Sequence, residues 1–241
     1  MASLKTAIST IHRDRAWWRK ILVGGALSLT VVGYPIVEGY QIESMENTQN
    51  GFSTPLPRWN DRGTKAVQGL FALVIDFFYF IFPMLSGGLV FVCSLLALGL
   101  TGVEQGVIRL VAVIIGALIL TWIGLVWISS VSPVAKRLYV GEGQINQAIS
   151  GKVFRSVLDS EARTIYLKAR LQSVSVYVVP LGLVLLALRG LDWSGWLGLL
   201  LLWLALSSLL YARLVVVQLY DAAAREVQQR KFEAMRARMR A

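Results

Sequence analysis

The residue most suited to carry out chemistry in this sequence is Asp76. It lies in an otherwise uncharged apolar run of 38 residues, 66–103. An ionisable side chain within a membrane helix is costly, and it usually faces a bundle interior or a water-filled cavity. Asp76 can therefore serve as a relay for protons or cations. Alternatively, it is a neutral acid that bonds a hydroxyl or backbone carbonyl of a neighbouring helix, because the run offers no second charge as its partner.

The same run is interrupted near its middle by the segment that starts at Pro83 and ends at Gly88. One membrane crossing takes roughly 20 apolar residues, so the run is nearly twice too long for a single span. The pattern predicts a helical hairpin that turns at Pro83. If the protein transports a solute, this break is where a conformational change would occur.

Two further charged residues, Glu104 and Arg109, flank the short turn that follows the run. They are expected to form an interfacial pair, to face water, or to gate a pathway. His12 is the only histidine and Cys93 the only cysteine. The predicted spans therefore offer no imidazole for haem, zinc or serine–histidine chemistry, and we predict no catalytic, cofactor or metal site.

The composition indicates an all-α integral membrane protein. Hydrophobic residues make up 56% of the 241 residues and charged residues only 16%, whereas soluble domains carry about 25% charged residues. The net charge of +10 comes without a nucleic-acid-binding motif, so we expect no nucleic acid as a partner. Basic residues beside apolar spans favour anionic lipid headgroups of the bilayer instead.

About six transmembrane helices fit the hydropathy, in a single membrane domain of residues 21–217. They are residues 21–37, 66–82, 87–100, 107–131, 174–188 and 196–217. Residues 1–20 form a basic tail, and residues 218–241 a basic C-terminal helical extension. Trp17 and Trp18 are placed as interfacial anchors at the entrance of the first span.

Basic residues set the orientation of this arrangement. Six spans place 19 basic residues on one side of the membrane and five on the other. The positive-inside rule then puts both termini in the cytoplasm, which we expect to be that of a bacterial cell with the chain in its inner membrane. Cysteine labels at Ser53 and Ser150 should accordingly mark opposite faces.

Two elements outside the spans have features typical of the membrane surface. In the central loop, an apolar residue recurs every four positions, at Ile145, Ile149, Val153 and Val157. This pattern predicts an amphipathic interfacial helix, with Lys152 and Arg155 exposed to anionic lipid. The alternative is a helix whose apolar face packs against neighbouring loops. Trp59, in the loop after the first span, is also expected at the membrane surface.

Several local patterns resemble a family of bacterial and archaeal membrane proteins, domain-of-unknown-function family 4013. The segments that carry the resemblance are Gly39-Tyr40, Leu56-Pro57-Arg58-Trp59 with Asp61, Lys65-Ala66-Val67-Gln68-Gly69-Leu70, and Pro133 with Tyr139, Gly143 and Ala148. The resemblance implies a multi-pass helical membrane protein. It brings no established activity, cofactor or catalytic residue.

These observations favour a non-enzymatic protein, an assembly or accessory subunit that contacts anionic lipid and either a membrane-protein partner or a second copy of itself. The alternative is a small transporter or permease component that uses Asp76 at the membrane midplane. The two hypotheses differ in one structural requirement, since a transporter needs a polar cavity around Asp76.

Overall fold

The computed structural model describes residues 3–102 and 104–240, which are helical apart from short turns and one loop and contain no strand. The helices are α1 (Leu4–His12), α2 (Trp17–Ser28), α3 (Gly33–Gln49), α4 (Arg62–Asp76), a π-helical turn (Phe77–Ile81), α5 (Phe82–Leu100), α6 (Gln105–Ser129), α7 (Val131–Glu142), α8 (Ile145–Ala148), α9 (Gly151–Leu158), α10 (Ser160–Trp193) and α11 (Gly195–Arg240).

Within the described ranges, four helices are long and apolar enough to cross a membrane. They are Arg62–Leu100, Gln105–Ser129, Ser160–Asp192 and Gly195–Met239. The class predicted from composition, a multi-pass helical membrane protein, agrees with this finding. The prediction of six spans is not confirmed. The chain does not turn at Pro83, and the first predicted span is divided between α2 and α3.

The chain does not turn at Pro83, and the predicted hairpin there is wrong. α4, the π-helical turn and α5 form one helix of 39 residues. Proline has no N–H to donate, and its ring clashes with the carbonyl four residues earlier in an α-helix. The wider π turn directly before Pro83 relieves this conflict, with the Phe82 N–H bonded to the Phe77 carbonyl. The reversal occurs after Leu100, where Gly102 has a φ of 70°.

The first predicted span, residues 21–37, is instead a helical hairpin made of α2 and α3. Thr30 ends α2 locally: its hydroxyl donates to the Leu27 carbonyl at 2.9 Å and accepts from the Gly33 N–H at 3.0 Å. Such side-chain bonds compete with the helical ladder. Val31 and Val32 form an apolar tip and are 92% and 79% exposed.

The hairpin of α2 and α3 is held by close contacts with two of the long helices. The Trp203 indole N–H of α11 donates to the Leu22 carbonyl of α2 at 3.0 Å. α3 packs against α4 with glycine at the closest points, since a Cβ on Gly69 would collide with the Pro35 carbonyl. Small residues allow helix backbones to approach this closely.

The structure does not confirm the predicted amphipathic interfacial helix of the central loop. It contains two short helices, α8 and α9, and the apolar side chains of Val153 and Val157 are buried in the protein core. Lys152 and Arg155 are exposed, as predicted. The apolar face is covered by protein, which corresponds to the packing alternative.

The core extends beyond the four long helices into both terminal segments. It includes Ala7 and Ile11 of α1, and it follows α11 as far as Val227. After Val227 the side chains of α11 are mostly exposed. The C-terminal half of α11 thus contributes to the core as far as Val227, and only its last turns project from the protein.

Candidate functional site

A cavity of about 870 Å³ opens between α3, α4, α7, α10 and α11. Its wall is mainly apolar, but four charged side chains reach it: Asp76, Lys136, Arg170 and Arg213. Each of them comes from a different helix. The cavity is therefore the place where the long helices meet the shorter α3 and α7.

Asp76 has a charged partner, contrary to the sequence-based expectation. The Lys136 ammonium lies 2.6 Å from Asp76 Oδ2, and the Ser132 hydroxyl donates to Oδ1 at 2.7 Å. Both partners belong to α7, 56 and 60 residues further along the chain. The hydroxyl partner agrees with one of the two predictions for Asp76, whereas the ion pair with Lys136 does not follow from the sequence.

Glu38 of α3 completes a network of four charges. It is 1% exposed, it forms an ion pair with Arg213, and it accepts from the Lys136 ammonium at 3.3 Å. Arg213 also donates to the Tyr34 hydroxyl at 3.0 Å. We call Glu38, Asp76, Lys136 and Arg213 the charge network. Its two carboxylates and two cations balance each other.

Two members of the network, Glu38 and Lys136, have pKa values that their charged partners shift toward the ionised form. Burial alone would raise the pKa of Glu38, but the positive charges of Lys136 and Arg213 outweigh it and hold the pKa at about 2. Burial alone would lower the pKa of Lys136, while the Glu38 and Asp76 carboxylates raise it above its ordinary value. Each buried charge thus depends on its partners.

The four long helices each carry an uncharged stretch that ends at this site. The stretches are residues 77–100, 110–135, 171–188 and 193–212, which stop beside Asp76, Lys136, Arg170 and Arg213 respectively. Asp76 therefore borders the uncharged residues 77–100, and residues 66–75 on its other side are uncharged as well. A helix of 39 residues is about 58 Å long, well over the roughly 30 Å of a bilayer core.

The other predicted site residues lie apart from the cavity. Glu104 and Arg109 are exposed at the far end of the first two long helices, and no ion pair joins them in the part of the chain that the structure describes. Pro83 lies in α5, beyond the cavity. These residues do not form one site with Asp76.

The predicted interfacial tryptophans have three different environments. Trp18 is exposed, with the Arg19 guanidinium 5.0 Å from its ring. Trp17 is half-buried and stacks on His12. Trp59 is half-buried: its ring stacks on Tyr40 with centroids 4.0 Å apart, and its indole N–H donates to the Lys20 carbonyl at 3.0 Å.

The low pKa of Glu38 predicts a loss of stability in acid. The folded-state pKa of about 2 lies below the ordinary value of 4.5, so the stabilisation is complete above pH 4.5 and is lost as the pH falls toward 2. The difference corresponds to about 3 kcal/mol. Unfolding in detergent between pH 6 and 3 should show a steeper loss for the wild type than for Glu38→Gln. Equal slopes would contradict the assignment.

Together, the four long apolar helices and the internal charged cavity define the class of multi-pass helical membrane proteins. The sequence model of the family described as "Protein of unknown function (DUF4013)" matches residues 22–190. The chain belongs to this family, as the local patterns predicted. Comparison with curated proteins and with solved structures finds no match. The matched region includes Glu38, Asp76, Lys136 and Arg170 but ends before Arg213.

Proposed function

We propose that this protein is a small, non-enzymatic transporter or permease component whose substrate enters the cavity beside the charge network. The observation that carries the proposal is the presence of four charged side chains in the wall of a cavity at Asp76, since a transporter requires polar groups there and an accessory subunit does not. About 870 Å³ lies within the range of known ligand pockets, roughly 300–1,000 Å³.

The orientation forms part of the proposal, with both termini in the cytoplasm of a bacterial cell and the chain in its inner membrane. With four crossings, 22 of the 24 basic residues lie on the same side of the membrane as the cavity. Arg109 and Arg189 alone lie near the two turns on the other side. This bias is stronger than the one that six crossings give, and it supports a cytoplasmic cavity.

The charge network offers a means of changing conformation that leaves both of its cations paired. Lys136 contacts both Glu38 and Asp76, so it retains one carboxylate if it loses the other. The π-helical turn that follows Asp76 and precedes Pro83 is a place where the long helix can bend. Bending there would separate Asp76 from Lys136 while Glu38 keeps both cations paired.

Access to the cavity from both faces of the membrane tests this proposal. Leu73 lines the cavity, so Leu73→Cys in a Cys93→Ser background should react with a charged, membrane-impermeant thiol reagent. We expect modification from the cytoplasmic face and, more slowly, from the opposite face. Leu89→Cys is the matched control, because Leu89 is exposed on the apolar part of the same long helix. Modification of Leu73→Cys from the cytoplasmic face only would exclude transport.

The last turns of α11 favour a second candidate function, that of an assembly or accessory subunit. Phe232, Met235 and Met239 form an exposed apolar stripe with exposures of 53%, 58% and 73%. Basic residues surround the stripe, and Arg236 lies 4.3 Å from the Phe232 ring. A membrane-protein partner or a second copy of the chain could dock there, beside anionic headgroups.

Removal of residues 232–241 tests this second candidate, because the last buried apolar residue of α11 is Val227. Full-length protein should purify in mild detergent with a defined partner, and the truncated protein should lose that partner while keeping its unfolding temperature. Arg238→Ala and Met235→Ala form a matched pair, of which only the second should weaken the association. Purification of both forms without a partner would exclude the accessory function.

A further inference from the structure

We propose that the cavity binds an acidic amphiphile, a phospholipid with an anionic headgroup, and that Arg170 receives its phosphate. The proposal rests on the proposed function and names the class of ligand for that cavity. It combines three observations: a buried cation without a counterion, a second unpartnered donor that lines the same cavity, and an apolar stripe along the cavity wall.

Arg170 is a buried guanidinium with no acidic partner. The residue is 6% exposed, its side chain lines the cavity, and its buried Nε has no hydrogen-bond partner. No ion pair to Arg170 forms among the residues described. Its guanidinium lies against two aromatic rings, with Cζ 4.8 Å from the Trp127 centroid and 5.5 Å from that of Tyr220.

Aromatic rings offset only part of the cost of burying a cation. The charge network cannot supply the remainder, because its two carboxylates are already balanced by Lys136 and Arg213. The cavity wall therefore carries one uncompensated positive charge at Arg170. A phosphate matches this requirement in charge, and guanidinium groups bind phosphate with parallel hydrogen bonds.

Gln41 provides a second donor on another wall of the cavity. It belongs to α3, it is 8% exposed, and its Nε2 has no hydrogen-bond partner. Buried amide groups are normally hydrogen-bonded, so an orphan that lines a cavity indicates a ligand contact. A headgroup between α3 and α10 would satisfy both Gln41 and Arg170.

The apolar stripe distinguishes an amphiphile from a small anion. Leu70, Val74, Phe77 and Ile81 line the cavity at helical spacing and are between 43% and 52% exposed. The stripe runs along the cavity wall past Asp76, and its last two members lie in the uncharged stretch of residues 77–100. An acyl chain along this stripe would place the headgroup at the boundary of the apolar helices, where Arg170 lies.

Native mass spectrometry of the purified full-length protein tests the proposal, with dioleoylphosphatidylglycerol and dioleoylphosphatidylcholine as probes. The two lipids have the same chains and differ in headgroup charge. The wild type should retain about tenfold more phosphatidylglycerol than phosphatidylcholine, which is the effect of one charged hydrogen bond. Arg170→Gln should abolish this preference. Arg163→Gln, exposed on the same helix, should keep it.

A second variant keeps the proposal testable if Arg170→Gln does not fold. Val74→Trp fills the apolar stripe at an exposed position, so it should fold and should lose lipid retention without altering Arg170. Inorganic phosphate forms a separate arm. If phosphate alone binds Val74→Trp and displaces phosphatidylglycerol from the wild type, the site takes a free anion and the lipid proposal is overturned. Equal retention of the two lipids by the wild type would overturn it as well.

The lipid proposal and the transport proposal fail in different ways. A preference for phosphatidylglycerol, together with labelling of Leu73→Cys from the cytoplasmic face only, would support the lipid site and exclude transport. Two-sided labelling without a headgroup preference would support transport and exclude the lipid site.

Discussion

Replacement of Glu38 by glutamine is expected to destabilise the protein by about 3–5 kcal/mol, the cost of removing one partner from a buried ion pair. Glu38 is 1% exposed and contacts both Lys136 and Arg213. Without its charge, Arg213 keeps only the Tyr34 hydroxyl and Lys136 keeps only Asp76. The free energy of unfolding in mixed detergent micelles, measured by titration with dodecyl sulfate, reports this loss.

Glu46→Gln is the matched control for Glu38→Gln, because it makes the same chemical change at an exposed position of the same helix. It should alter the free energy of unfolding by no more than about 0.5 kcal/mol. Losses of equal size in the two variants would show that Glu38 is not the anchor of a buried network. The Glu38 effect should also shrink at low pH, where the wild-type carboxylate is itself protonated.

Alanine at Gly69 is expected to cost about 3 kcal/mol, the upper end of the usual range for overpacking. A Cβ at this position would collide with the backbone carbonyl of Pro35 and approach the Gly39 N–H within 2.7 Å. Backbone atoms cannot rotate away as a side chain does, so α3 and α4 would have to separate. Separation would also disturb the contacts of Glu38 with Lys136 and Arg213.

Gly88→Ala is the control for Gly69→Ala, since both glycines lie in the same long helix and no atom lies within 4 Å of a Cβ at Gly88. Its unfolding free energy should be unchanged or raised by up to about 1 kcal/mol, the helix-propensity gain. Similar destabilisation of both variants would mean that the α3–α4 contact at Gly69 does not determine the effect, because helix propensity favours alanine at both positions. Thermal unfolding in a single detergent is sufficient for this comparison.

The helical membrane class could be predicted from the sequence because apolar length and low charge depend on the bilayer alone. The turns could not be predicted from length. Pro83 suggested a break, but a π turn accommodates a proline without reversing the chain. Thr30 gave no hydropathy signal, although its hydroxyl ends α2 within an apolar stretch. Both errors arose because local hydrogen bonding, and not hydropathy, sets where the helix ends.

The candidate site could be predicted in part. Asp76 was identified because a carboxylate in an apolar run is costly, but its partner Lys136 lies 60 residues away in a helix that is not itself a span. Glu38, Lys136 and Arg213 each appear at the end of an apolar segment, where charge is ordinary. Only the packing of α3, α7 and α11 around α4 reveals that these ends meet. Pairing across such distances needs the tertiary fold.

The central claim, that four crossings bring the charged ends of the long helices to one level, is tested most directly by single-cysteine labelling in a Cys93→Ser background. Cysteines at Ser53 and Ser150 should react with a membrane-impermeant reagent from the same, cytoplasmic, face, and a cysteine at Thr101 only from the opposite face. Labelling of Ser53 and Ser150 from opposite faces would contradict the four-helix arrangement and restore the six crossings that hydropathy alone suggests.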